Sequence, residues 1–180
     1  MGAIHEFEKE KLIVGIIYSD EGRFAEARAA LVEKFGETDD ECEEFSFSRN
    51  FSTYYDEELG GEGRRVIYSF KEHIDASLQA EIKEFTNELE LRLSDGGKRR
   101  VNIDPGFLNH GRLMLATTKA VGFRIPLKRG IYTELTLFYA RGAFHSLPWT
   151  YMDYKSEGVQ KFLLRVRARY LAERKSEKST

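Results

Sequence analysis

The first regular pattern in the chain is Leu12-Ile-Val-Gly-Ile-Ile-Tyr18, a run of β-branched and aromatic residues with no polar break. Such a run fits a strand covered on both faces. Ser19 or Asp20 can cap the next segment, where Phe24, Ala27, Leu31 and Phe35 recur at helical spacing until Gly36 stops it. Alternation follows over Glu44–Ser48, with Phe45 and Phe47 inward, and again over Arg64–Phe70, with Val66, Tyr68 and Phe70 on one side. Asp75 then caps the clearest helix, whose Leu78, Ile82, Phe85, Leu89 and Leu93 form one stripe ending at Asp95-Gly96-Gly97. Val101–Asp104 reads as a short strand. The order βαββαβ is that of a ferredoxin-like, split-βαβ core in the α+β class.

Beyond Pro105 the pattern predicts a short helix around Gly111–Lys119 and then an antiparallel β-meander. Its strands are Phe123–Leu127, Ile131–Tyr139 and Ala143–Leu147, joined by turns at Gly130 and Gly142. Ser156 opens a last helix with Val159, Phe162, Leu163, Val166 and Tyr170 inward. With no repeat, low-complexity stretch or Pro/Ser-rich linker, residues 1–180 are expected to form one domain, with about 1–10 and 173–180 frayed. A chain of 180 residues buries enough surface to need no disulfide or structural metal. The single cysteine, Cys42, can make neither an internal disulfide nor a thiolate zinc site, and reads as a small buried hydrophobe.

Composition narrows the function classes. Met1 to Lys11 is mostly charged, with no apolar core of a secretory signal, and no apolar run approaches the ~20 residues of a membrane span. The expectation is a cytoplasmic protein without a membrane partner. Net charge is −2 but unevenly spread. Glu37 to Glu62 carries ten acidic residues against one basic, and Lys161 to Thr180 seven basic against two acidic. Nucleic-acid binders usually have a basic pI, and here it is near 6.1. RNA or protein binding through Arg165, Arg167 and Arg169 is therefore the secondary expectation. Self-association of the acidic segment with the basic helix of a second copy is a third.

Several strings are specific: Phe85-Thr-Asn-Glu-Leu-Glu90, Asn102-Ile-Asp-Pro-Gly-Phe-Leu108, Leu115-Ala-Thr-Thr-Lys119 and Leu147-Pro-Trp-Thr-Tyr-Met-Asp-Tyr154, with Tyr54-Tyr55 ahead of acidic residues and Gly60. On these the chain resembles the bacterial and archaeal domain-of-unknown-function family 4416 over nearly its whole length. The resemblance implies a stand-alone prokaryotic cytoplasmic protein and carries no activity.

The same strings hold the candidate chemistry. Asn102 and Asp104 lie two apart, so both leave a strand on one face. They either hold a ligand or divalent metal, or Asp104 closes an Asx-turn before Pro105-Gly106. Thr117, Thr118 and Lys119 offer two hydroxyls and an ammonium to a phosphate, or Lys119 simply complements a helix C-terminus. Glu134 stands among aromatics and can pair with Arg124 across a hairpin, as a raised-pKa carboxyl or as an ordinary ion pair on a solvated face. Trp149, Tyr151 and Asp153 concentrate aromatics and an acid in one irregular segment, for stacking on a flat ligand or for sealing the sheet edge. Asn87 lies off its helix's apolar stripe, and Tyr55 in a Gly- and acid-rich stretch suits a flap. The expectation is a small-molecule site for a phosphorylated or nucleotide-like ligand, with Asp104, Glu134 and Asp153 as catalytic carboxylates. Asn102, Thr117, Thr118, Lys119, Arg124, Tyr55, Asn87, Trp149 and Tyr151 would bind the ligand. Neither a P-loop, a Rossmann fingerprint nor a nucleophile elbow is present.

Overall fold

In the computed structural model, which describes residues 2–177, the apolar run is β1 (Glu10–Tyr18), buried along its whole length. Asp20 accepts the Arg23 N–H to start α1 (Glu21–Phe35), and Gly36, at φ 87°, ends it. Then come β2 (Thr38–Glu41), β3 (Phe45–Ser46), α2 (Phe47–Asn50), α3 (Asp56–Leu59) and β4 (Arg64–Ile74). Asp75 caps a 3-10 turn into α4 (Gln79–Arg92). The rest is β5 (Val101–Leu108), β6 (Arg112–Thr117), β7 (Ile125–Pro126), β8 (Tyr132–Ala140), β9 (Ala143–Ser146) and α5 (Glu157–Glu177). The fold is α+β, with one large antiparallel sheet ordered β2-β4-β1-β5-β6-β8-β7; β3 adds to β4 and β9 to β8.

Strand alternation sends side chains to two cores. Leu12, Val14, Ile16, Val66, Tyr68, Phe70 and Ile103 meet Leu31 of α1 and Ile82 and Leu89 of α4. On the other face Ile13, Ile67, Leu108, Leu113 and Leu137 meet Val159, Phe162, Leu163 and Val166 of α5. Covering on both sides explains why β1 tolerates no polar break. Cys42 is buried, and burial pushes its thiol up to about 11.

Four expectations need correction. The helix expected around Gly111–Lys119 is strand β6: Asn109 Oδ1 accepts the Gly111 and Arg112 N–H groups, turning the chain straight back onto β5. Leu113 and Leu115 then face inward, and a short apolar run of this kind does not distinguish helix from strand. The strand expected over Glu44–Ser48 is only Phe45–Ser46, running into α2, and the chief neighbour of β4 on that side is the acidic β2, which has no apolar signal. The strand expected over Phe123–Leu127 shrinks to Ile125–Pro126. Finally, β5 does not stop at Asp104; it runs through Pro105-Gly106 to Leu108, so there is no turn at Asp104.

That last difference shapes the molecule. β5 pairs with β6 only from Gly106↔Leu115 to Leu108↔Leu113, whereas β6 stays on β8 as far as Thr117↔Tyr132. Proline has no N–H to give a ladder, and pairing ends beside Pro105. Gly106 sits where a Cβ would lie 2.3 Å from the Met114 carbonyl oxygen, so no larger residue fits this crossing.

Part of the uneven charge is paired within the chain. Arg165 pairs with Asp40 at 2.9 Å, and Arg169 lies 3.5 Å from Asp39 and 3.6 Å from Asp40. Arg167 donates to the His110 carbonyl and lies over the Tyr139 ring. Under them Lys11, wholly buried, meets Asp39 at 2.6 Å and Glu173 at 2.9 Å. Glu173 and Arg174, expected to fray, thus tie α5 to Lys11 and Glu8; residues 178–180 lie outside the described residues.

Burial disfavours ionisation of Asp39, but hydrogen bonds from Lys11 and Ser69 and the Lys11 charge outweigh it and hold the carboxyl below its usual range. A depressed folded-state value gives stability that is full above the ordinary aspartate range and lost as pH falls through the folded one. Lys11→Met is expected to cost about 3–5 kcal/mol near neutrality, because it strands a buried carboxylate. The deficit should shrink in acid; urea denaturation across pH measures both.

Candidate functional site

Where β6 leaves β5, the backbone of Ile103 loses a strand neighbour. Two side chains of α4 replace it: Glu90 Oε1 accepts the Ile103 N–H at 2.6 Å, and Lys83 Nζ donates to the Ile103 carbonyl at 2.8 Å. Buried backbone groups must find partners, so the gap persists as a cleft. Its larger lobe, of about 280 Å³, is walled by Phe47, Tyr54, Tyr55, Tyr151 and Tyr154, with Arg65, Asp104, Glu134 and Asp153 among its polar residues. Past Asp104, Thr117 and Lys119 lies a narrower recess of about 80 Å³ lined by Lys83, Asn87, Glu90, Arg99, Asn102 and Thr118.

Arg65, on β4, is the charge centre of the larger lobe and only 3% exposed. Its Nε lies 3.1 Å from Asp153 Oδ2, a charge contact without hydrogen-bond alignment. Its two terminal nitrogens donate to Asp104 Oδ2 at 3.3 Å and the Tyr154 hydroxyl at 3.1 Å. Burial opposes the guanidinium charge, but Asp153, Tyr154 and Asp104 outweigh it and raise its pKa. Room for it comes from Gly15 on β1, where a Cβ would lie 2.5 Å from the guanidinium. Asn102 and Asp104 do share a face, and Asn102 Nδ2 donates to Asp104 Oδ2 at 2.9 Å.

Glu134 pairs with Arg124 across the β7–β8 hairpin, at 2.7 Å from Nε to Oε2. The pair is buried, with side chains 5% and 1% exposed, rather than on a solvated face. Burial raises the Glu134 carboxyl and Arg124 opposes the rise. Oε1 of Glu134 has no hydrogen-bond partner among the described residues. Arg124 also donates to the Tyr151 hydroxyl at 3.0 Å and to the Lys119 carbonyl at 2.7 Å, fixing the rim. Burial raises the hydroxyls of Tyr55 and Tyr154, so both remain protonated donors.

Ten of the twelve candidate residues line one lobe or both: Asp104, Glu134, Asp153, Asn102, Thr117, Thr118, Lys119, Tyr55, Asn87 and Tyr151. Arg124 stands behind Glu134. Trp149 lies apart: its Nε1 donates to the Leu135 carbonyl at 2.8 Å, and its ring stacks on Phe123 at 4.5 Å between centroids. The Tyr54-Tyr55 segment covers the cleft and is latched by Glu58, whose oxygens accept from Arg99 at 2.7 and 2.8 Å. The Arg99 hydrogen bonds lower the Glu58 carboxyl. No group of three or more His, Cys, Asp or Glu among the described residues is placed to hold a metal, and Asp104, one of the two residues read as able to hold a ligand or metal, faces Arg65.

Arg65, Lys83, Glu90 and Arg99 escaped the sequence reading. Lys83, Asn87 and Glu90 lie at i, i+4 and i+7, a polar stripe flanking the apolar one. Arg65 alternates with Ile67 on the face of β4 that meets α5, a face with no signal of its own until α5 covers it.

Gly15→Ala is expected to destabilise the protein by about 1–3 kcal/mol by driving a Cβ into Arg65. Gly158→Ala, with nothing within 4 Å of its added Cβ, should be neutral or stabilising by up to about 1 kcal/mol. Guanidinium denaturation of both variants makes the comparison.

No curated protein and no solved structure matches the chain. The model of one family, described as Domain of unknown function (DUF4416), matches residues 8–170. With the matched span covering β5, β6 and both lobes of the cleft, the chain belongs to the DUF4416 family.

Proposed function

We propose that the cleft binds a nucleotide-like phosphorylated small molecule, with its ring in the larger lobe and its phosphate in the recess. The supporting observation is the continuity of an aromatic-walled lobe with a recess holding Lys83, Arg99, Lys119 and the hydroxyls of Thr117 and Thr118. Aromatic side chains stack on flat rings irrespective of sequence. Lys83 is engaged with a carbonyl and Arg99 with Glu58 and Glu90. Lys119 makes no ion pair among the described residues and lies over the Tyr54 ring at 5.4 Å, so its ammonium is available to an anion. Within this reading Glu134 is the group suited to proton transfer, because burial raises its carboxyl. Asp104 and Asp153 hold Arg65.

Two finer structural readings go with it. The order β2-β4-β1-β5, with α1 and α4 on one face, supports a ferredoxin-like core extended by β6 to β9 and α5. The unbroken sheet supports reading residues 1–180 as one domain.

Calorimetric titration with nucleoside monophosphates is expected to show binding that Lys119→Ala weakens about tenfold or more. The exposed side chain should leave the ligand-free melting temperature unchanged. Absence of binding by any nucleoside monophosphate or sugar phosphate overturns the reading.

A further inference from the structure

Seven buried side-chain atoms lack a hydrogen-bond partner among the described residues, and three of them belong to residues lining the larger lobe. They are Glu134 Oε1, Asp153 Oδ2 and Arg65 Nε. Buried polar atoms are normally satisfied. Arg65 Nε and Asp153 Oδ2 at least face each other at 3.1 Å, whereas Glu134 Oε1 is left without a donor at the cavity and asks for a partner from outside the chain. The two oxygens set the chemistry required. Glu134 Oε2 is taken by Arg124, leaving Oε1 as an acceptor, and Asp153 Oδ2 receives charge contact but no proton from Arg65. The cations nearest them are spent, Arg65 between Asp104 and Asp153 and Arg124 on Glu134. A carboxylate oxygen left without a donor is a hydrogen-bond acceptor. A carbonyl-bearing ring edge placed there would add acceptor to acceptor.

Resting on the nucleotide reading, we infer that the ring admitted to the larger lobe bears an exocyclic amine, and that Glu134 is a specificity-determining residue accepting its N–H. The aromatic walls supply the stacking and the carboxylates select the ring's edge. A site built to hydrogen-bond an N–H rejects an analogue lacking it far more strongly than a purely apolar pocket would.

The test is calorimetric titration of the full chain with adenosine monophosphate and with purine riboside monophosphate, which differ only in the amine. The wild-type chain is expected to prefer the amino compound by about tenfold or more. Glu134→Gln should erase most of that preference while leaving affinity for the unsubstituted compound within a few-fold. Asp153→Asn serves as a second variant, expected to reduce the preference, and the wild-type comparison stands even if either variant fails to fold. Equal wild-type affinity for the two nucleotides overturns the inference and leaves the nucleotide reading intact. If neither nucleotide binds, the inference falls, and the nucleotide reading falls with it only when no other nucleoside monophosphate or sugar phosphate binds.

Discussion

Pairing between β5 and β6 stops at Pro105, and most of what distinguishes this protein depends on that interruption. A continuous ladder would bring Thr117 and Lys119 against the β5 backbone and fill the space that holds the cleft. Instead β6 follows β8, and α4 turns Lys83 to the carbonyl and Glu90 to the N–H that Ile103 presents without a strand partner. A lysine and a glutamate that look like functional residues by burial and charge are thereby engaged in completing a sheet. The cleft is the space left between a strand that ends its pairing early and a helix that completes its hydrogen bonds.

Within that space the charges are arranged so that each deeply buried cation has carboxylates around it. Arg65 has Asp104 and Asp153, and Arg124 has Glu134. Removing ions from water is costly unless they are paired, so these contacts keep the polar groups in fixed positions before any ligand arrives. Gly15 on the central strand belongs to the same device, since the guanidinium occupies the volume a Cβ would take. The rim is secured separately: Arg124 reaches Tyr151 and the Lys119 loop, and Arg99 reaches Glu58. Walls, polar groups and rim are thus held by three arginines, Arg65 on β4 and Arg99 and Arg124 in the segments before β5 and β7.

Legibility in the sequence followed the reach of local pattern. β1, α1, β4 and α4 announce themselves because each presents an apolar stripe of the right period to a single core. β2 does not, because its Asp39 and Asp40 pair with Lys11, Arg165 and Arg169, contacts set by residues far away in the chain. β6 was misread because its register comes from the Asn109 turn, and Pro105-Gly106 because a dipeptide typical of turns also suits a place where a ladder ends. For the cleft, short polar strings brought together by β5, β6 and β8 were visible one by one. Arg65 was not, because its importance exists only once Asp104 and Asp153, from β5 and from the segment before α5, arrive beside it.

The two outer strands of the sheet carry a further consequence. A long antiparallel sheet with open edges invites other chains to add strands. Here one edge is shared by the two-residue β3 and by β2, four residues long with Asp39, Asp40 and Glu41 and with the arginines of α5 across it. The other is shared by β7, two residues ending in Pro126, and the four-residue β9. Short, charged and proline-capped, these edges offer little ladder for edge-to-edge aggregation, so the same ion pairs that dock the last helix also shield the sheet from growth beyond its nine strands.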